Sequence, residues 1–251
     1  LSAQGVAVTG AQSSAIDAFF VTGKDEGWYS ALKRMFLPIW SAAGPNAICL
    51  VSGTSGTWVS TLTYASGYTY PAGTGARFKT NYRLLDDDLT TEDACFMGLA
   101  YDDTDPRDRG IPAANNTIVG SGVSLAHAIR LNTGNGATIP KATWIGADED
   151  NGAMGSHGVL LASRKGGVTA LTKRDASGIS DTTTTASLTG TYVDNPITVW
   201  GSSYNSSSWV VQHSTAKLGA AGILGGLDSD ERASFTLAVK TLWEATSGLT
   251  L

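Results

Sequence analysis

The sequence predicts a mostly β fold of packed antiparallel sheets, with helical segments confined to its two ends. Three observations carry this. The 30 glycines and the low charged content (16%) of the 251 residues suit short strands joined by tight turns, because the exposed faces of a helical bundle would need more Glu, Lys and Arg. Short β-prone runs recur: TWVSTLTY (57–64), ACFMGLAY (94–101), ATWIGAD (142–148), HGVLLAS (157–163), VTALTKR (168–174) and ITVWGSS (197–203). Connections such as YDDTDPRDRGIP and DEDNGAMG are rich in the Gly, Pro, Asn and Asp that turns require.

Helical spacing appears first near the N-terminus. Thr9 and Gln12 match a capping box, Ile16, Phe19 and Phe20 follow, and Trp28, Leu32, Met35 and Phe36 continue the period. Gly23 and Gly27 interrupt it, so two short helices are expected. At the other end Asp228 and Glu231 form a second capping box, with Phe235, Val239, Leu242 and Trp243 on one face before Gly248. One domain over 1–251 is expected, with a helical element at 1–40, a β-sandwich at 45–225 and a closing helix at 228–247. The polar run SDTTTTAS (180–187) reads as a solvated loop.

The net charge of −5 and the scattered basic residues leave no footprint for phosphate backbones, so no nucleic-acid partner is expected. No apolar run is long enough to span a bilayer, so no membrane insertion is expected either. Cys49 and Cys95 each lie in an apolar stretch and read as free buried thiols.

Three segments carry a family resemblance. AIDAFFVTGKDEGWYSALKRMFLPI, then GVLLASRKGGVTALTKRDASG with PITVWGSSYN, then GAAGILGGLDSDERASFTLAVKTLWEATSG follow one another in order. Together they resemble the concanavalin A-like, lectin-type jelly-roll domains of tailed-bacteriophage virion proteins. The resemblance implies a jelly-roll β-sandwich with N-terminal helices and a C-terminal helix. One departure is Asp175-Ala176, where the family has an Asn-Gly hairpin; Asp-Ala does not suit a type I′ turn, so a longer loop using Gly178 is expected. A second is the enlarged loop at 102–117.

Chemistry-bearing patterns are sparse. A glycosidase needs two carboxylates flanking the scissile bond, yet the five glutamates, Glu26, Glu92, Glu149, Glu231 and Glu244, do not make the E-x-D-x-x-E strand of the family's hydrolytic relatives. His127, His157 and His213 lack metal-ligand spacing, and no G-x-S-x-G elbow or phosphate-binding glycine loop occurs. No motif implies a cofactor. The one ion the acidic turns could hold is calcium, with Asp148 and Asp150 as the candidate ligands. Among the aromatics, Trp28, Trp40 and Trp243 read as helix-to-sheet core. The polar segment YNSSSW presents Tyr204, Asn205 and Trp209 as candidate sugar contacts.

The expected function is therefore that of a non-enzymatic virion protein: a tail-fibre, receptor-binding or decoration protein. Its expected partners are copies of itself, other virion proteins and a host cell-surface glycan. The alternatives are a free carbohydrate-binding module or lectin, and a polysaccharide-degrading glycosidase.

Overall fold

A computed structural model describes residues 6–71, 76–83, 86, 89–90, 92–102, 115–121, 127–134, 137–144, 149–150, 157–185, 187, 197–199 and 217–251, with the backbone alone described at 71, 102, 115–121, 127–134, 137–144 and 149–150. Its centre is an eight-stranded antiparallel sheet. In spatial order the strands are β13 (Gly178–Thr184), β12 (Val168–Asp175), β11 (Gly158–Lys165), β6 (Asp93–Asp102), β15 (Lys217–Leu224), β4 (Tyr68–Pro71) and β3 (Leu62–Ala65), with β1 (Leu32–Phe36) also paired to β15. A second sheet, of seven strands, runs β10 (Glu149–Asp150), β9 (Ala137–Trp144), β8 (His127–Gly134), β7 (Asn115–Ser121), β14 (Thr198–Val199), β5 (Arg77–Lys79) and β2 (Thr57–Val59). The result is a jelly-roll-like β-sandwich, as the sequence predicts.

A third layer covers the outer face of the first sheet. Helices α1 (Gly10–Asp25) and α3 (Ser229–Ser247) pack there, with the one-turn helix α2 (Ala43–Asn46) between them in sequence, so the central strands are buried on both sides. Phe96, Leu160, Ala162, Leu171 and Ile223 point into the space between the sheets. Their neighbours Cys95, Met97, Leu99, Val159, Leu161 and Leu224 point to the helices. Successive strand residues face opposite ways, so a strand buried on both faces must be apolar throughout. That is why ACFMGLAY and GVLLAS read as continuous apolar runs. It also keeps the thiols apart: Cys49 belongs to the inter-sheet layer and Cys95 to the helix layer, and both are free. Burial pushes the Cys95 thiol well above its ordinary pKa, so it stays protonated.

Both capping boxes form. Thr9 Oγ1 accepts from Gln12 N at 3.2 Å, and Gln12 Oε1 accepts from Thr9 N at 3.0 Å. Asp228 Oδ1 accepts from Asp230 N and Glu231 N, while Glu231 Oε2 accepts from Asp228 N. Gly248, at φ 73°, ends α3 in the left-handed conformation that glycine adopts without a Cβ clash. The inner face of α3 buries Phe235, Val239, Leu242 and Trp243. Where α3 begins, a buried polar cluster replaces apolar packing. Arg232 donates to Asp181 Oδ2 at 2.6 Å, to Thr172 Oγ1 at 3.0 Å and to Leu227 O at 3.2 Å, and Asp181 also accepts from the Thr172 hydroxyl. Among the described residues no helix is long and apolar enough to cross a membrane.

Five local expectations are corrected. Helix α1 runs through Gly23 without a break. Gly23 is there for space, since a Cβ at this position would stand 2.5 Å from the Trp28 ring. The second N-terminal helix is a 3-10 turn (Trp28–Ala31) followed by strand β1, because Gly27 at φ 87° ends the helical path and β15 offers a free pairing edge to Leu32–Phe36. TWVSTLTY is two strands, not one: Ser60 at φ 64° breaks it, sending β2 to one sheet and β3 to the other. The threonine run of SDTTTTAS continues β13, whose mostly exposed residues suit an edge strand. The β12–β13 connection is a two-residue turn rather than a longer loop. Asp175 pairs with Gly178, and Asp175 Oδ1 accepts from Ser177 N at 2.7 Å, which closes the turn without positive φ at Ala176 or Ser177.

Two stability outcomes follow. Backbone donation from Glu231 N holds the Asp228 carboxyl below the ordinary carboxylate range. A folded-state pKa below the unfolded value means that the cap's stabilisation is complete above about 3.9, the unfolded value, and is lost as pH falls through the lower folded value. Asp228→Ala should therefore cost about 1 kcal/mol at neutral pH, and the gap from wild type should narrow steadily as urea unfolding is repeated at pH values falling from neutral into strong acid. Asp181→Ala leaves the buried Arg232 charge without its carboxylate. Because Asp181 is about a third exposed, the loss should be roughly 2–3 kcal/mol, below that for a fully buried pair.

Candidate functional site

Polar and aromatic groups converge at one end of the central sheet, on the helix-covered face. The strand register defines the place. Thr69 pairs with Leu218, Leu218 with Ala100, and Ala100 with Gly158, making a line across four strands. One residue further out stand Tyr70, Lys217, Tyr101 and His157, all half-buried, with Tyr68 just inside the line.

Two compensating irregularities build this end. Between β15 and β6 the pairing slips at Tyr101, the extra residue on β6, and slips back at Gly219, the extra residue on β15. Bulges of this kind bend a strand and re-aim a side chain. Gly219 also makes room, because a Cβ there would lie 2.0 Å from Trp243 Nε1. The indole fills that gap, fully buried, and donates to Gly67 O at 2.8 Å. Tyr101 then rests on Trp243 with ring centroids 5.2 Å apart.

The rings form a connected row. Tyr68 stacks on Tyr101 at 5.4 Å and 20°, Tyr70 lies 6.1 Å from Tyr68, and His157 meets Tyr101 edge-on at 6.4 Å. The Lys217 ammonium sits 5.3 Å from the Tyr68 centroid, within cation–π range. His157 Nε2 is enclosed and has no hydrogen-bond partner among the described residues. The tyrosines lock one another in place, so little side-chain entropy remains to be lost when something binds. A phenol gives both an apolar ring and a hydroxyl donor and acceptor, which together suit a polyhydroxylated ligand with apolar C–H faces.

The row differs from the site the sequence suggests. Tyr204, Asn205, Trp209 and Asp148 lie outside the described residues, as does the side chain of Asp150. Trp28 and Trp243 are buried between helices and sheet as expected, and Trp40 packs partly buried against the same layer. Three glutamate carboxylates have structural partners: Glu92 accepts from Arg164, Glu231 serves the α3 cap and Glu244 pairs with Lys240; Glu26 is the C-cap of α1 through its backbone N–H, which donates to Thr22 O. The row was detectable only in part, since YTY places Tyr68 and Tyr70 on one face of a strand, whereas Tyr101, His157 and Lys217 join them only through register.

No family model matches the chain, and neither does any curated protein. Among solved structures the chain is similar to Trypanosoma rangeli sialidase in complex with sialic acid, at 9% identity and TM-score 0.49 over 84% of this chain and 34% of that one. It is also similar to a mutant of that sialidase displaying trans-sialidase activity, at 10% identity and TM-score 0.47 over 90% of this chain and 38% of that one. A Shewanella oneidensis MR-1 protein of unknown function aligns at 13% identity and TM-score 0.36, over 77% of this chain and 86% of that one. The chain spans about a third of the length of the two sialidases. The β-sandwich assignment rests on the strand order and the two buried layers.

The packing of Trp243 against Gly219 yields a paired prediction. Gly219→Ala should displace the indole and lower stability by about 2–3 kcal/mol with a changed near-ultraviolet dichroism of the aromatic row. Gly222→Ala, on the same strand, meets the flexible end of Met97 at 3.1 Å and otherwise makes ordinary contacts with Arg34 O and Met35 Sδ at 3.6 Å, and should cost under about 1 kcal/mol with the dichroism intact.

Proposed function

We propose that this chain is a glycan-recognising β-sandwich domain of a bacteriophage virion protein, of the tail-fibre or receptor-binding kind, and that it acts by binding rather than catalysis. The observation that carries the recognition half is the row of Tyr70, Tyr68, Tyr101 and His157, held half-exposed by a bulge and a buried tryptophan. The virion half is supported by the three sequence segments that resemble phage lectin-type domains. Appendage proteins repeat around symmetry axes, so the working form in this reading is a homo-oligomer.

The test is a glycan array probed with the purified chain. Surface glycans should bind. Tyr68→Ala and Tyr101→Ala should each weaken the best hit at least about tenfold, roughly 1.4 kcal/mol, while Tyr29→Ala, on the 3-10 turn, should leave it unchanged. Absence of any hit at millimolar glycan, or equal binding by all variants, would contradict the reading.

A further inference from the structure

We infer that the tyrosine row takes an extended, linear oligosaccharide lying across the strands rather than a single sugar; this rests on the glycan reading above. Tyr70, Lys217, Tyr101 and His157 each stand one residue beyond the line of Thr69, Leu218, Ala100 and Gly158 across β4, β15, β6 and the start of β11, with Lys217 paired to Asp102 around the Tyr101 bulge. Three strand spacings at the usual roughly 4.8 Å place the ends of the row about 14 Å apart. That is longer than one hexose and suits a short oligosaccharide.

The row is also narrow among the described residues, about one residue deep along the strands with Tyr68 behind it. Among the described residues, the exposed large apolar side chains, Val21, Tyr29, Ile179 and Leu237, all lie elsewhere, on α1, the 3-10 turn, β13 and α3. A protein partner of useful affinity would need a broad contact with an apolar centre. The row offers instead a strip of rings with polar groups along it. The phenols of Tyr68, Tyr70 and Tyr101 bring three hydroxyl donor-acceptors along the strip for successive sugar units.

Contacts spread along a row should add with ligand length until the row is filled. The experiment takes the best glycan from the array and measures its mono-, di-, tri- and pentasaccharide forms by calorimetry on the intact chain. Affinity should rise at least roughly tenfold from monosaccharide to trisaccharide and then level off. Tyr70→Ala, at one end of the row, should remove most of the gain for the trisaccharide and leave the monosaccharide unchanged. His157→Ala, at the other end, provides a second variant should the first fail to fold. A monosaccharide bound as tightly as its trisaccharide, or a length dependence that survives both substitutions, overturns the extended-ligand inference while leaving glycan recognition standing. Failure of every saccharide to bind overturns both.

Discussion

The rest of this structure depends on one sheet being covered on both faces. Strands β6, β11 and β15 separate two apolar layers, one shared with the second sheet and one with helices α1 and α3. Neither layer can be removed without exposing the other side of the same residues' backbone. A sheet sandwiched in this way has its register specified twice, since a one-residue slip would send the inter-sheet set and the helix set to the wrong faces together. The doubled constraint fixes where the strand ends lie, and with them the tyrosine row.

Against that rigid background the bulges at Tyr101 and Gly219 stand out because they cancel. A single slip would carry its shift along the whole β6–β15 pairing; a compensating pair confines it to the last turn of pleat, where Trp243 enters from α3. The helix thus contributes to the surface as well as to the core. Its N-terminal end is tied down by polar groups, with Arg232, Asp181 and Thr172 on one side and Lys165 to Glu231 at 2.8 Å on the other. Its C-terminal end is tied down by Trp243 and by Leu251 N donating to Glu244 Oε1 at 3.0 Å. Anchoring at both ends holds the indole that supports Tyr101.

Much of the architecture was legible in the sequence because local rules and global fold agree there. The two capping boxes mark the true helix starts, and the unbroken apolar runs mark the doubly buried strands. Three of the five misreadings share a physical cause: each of these was decided by a partner that a linear pattern does not show. Leu32, Met35 and Phe36 keep a helical spacing, but the edge of β15 pulls them into a strand. Gly23 looks like a breaker until Trp28 is seen against it. The threonines of β13 are too polar to read as a strand, yet an edge needs no second buried face. The candidate site was less legible still. Polar-aromatic loop composition points to Tyr204, Asn205 and Trp209, whereas the row assembles Tyr68, Tyr70, Tyr101, His157 and Lys217 from four strands, and only the register brings these together.

The central claim is that the tyrosine row is built by the fold and waits preformed for its ligand. The most direct measurement is hydrogen exchange of the Trp243 indole N–H, which donates to Gly67 O, by nuclear magnetic resonance, with and without a saturating oligosaccharide. The account predicts slow exchange in the free protein, close to that of central β6 amides, with little change on binding. Rapid exchange in the free protein that becomes slow only with ligand would mean that the sugar assembles the row, and would contradict it.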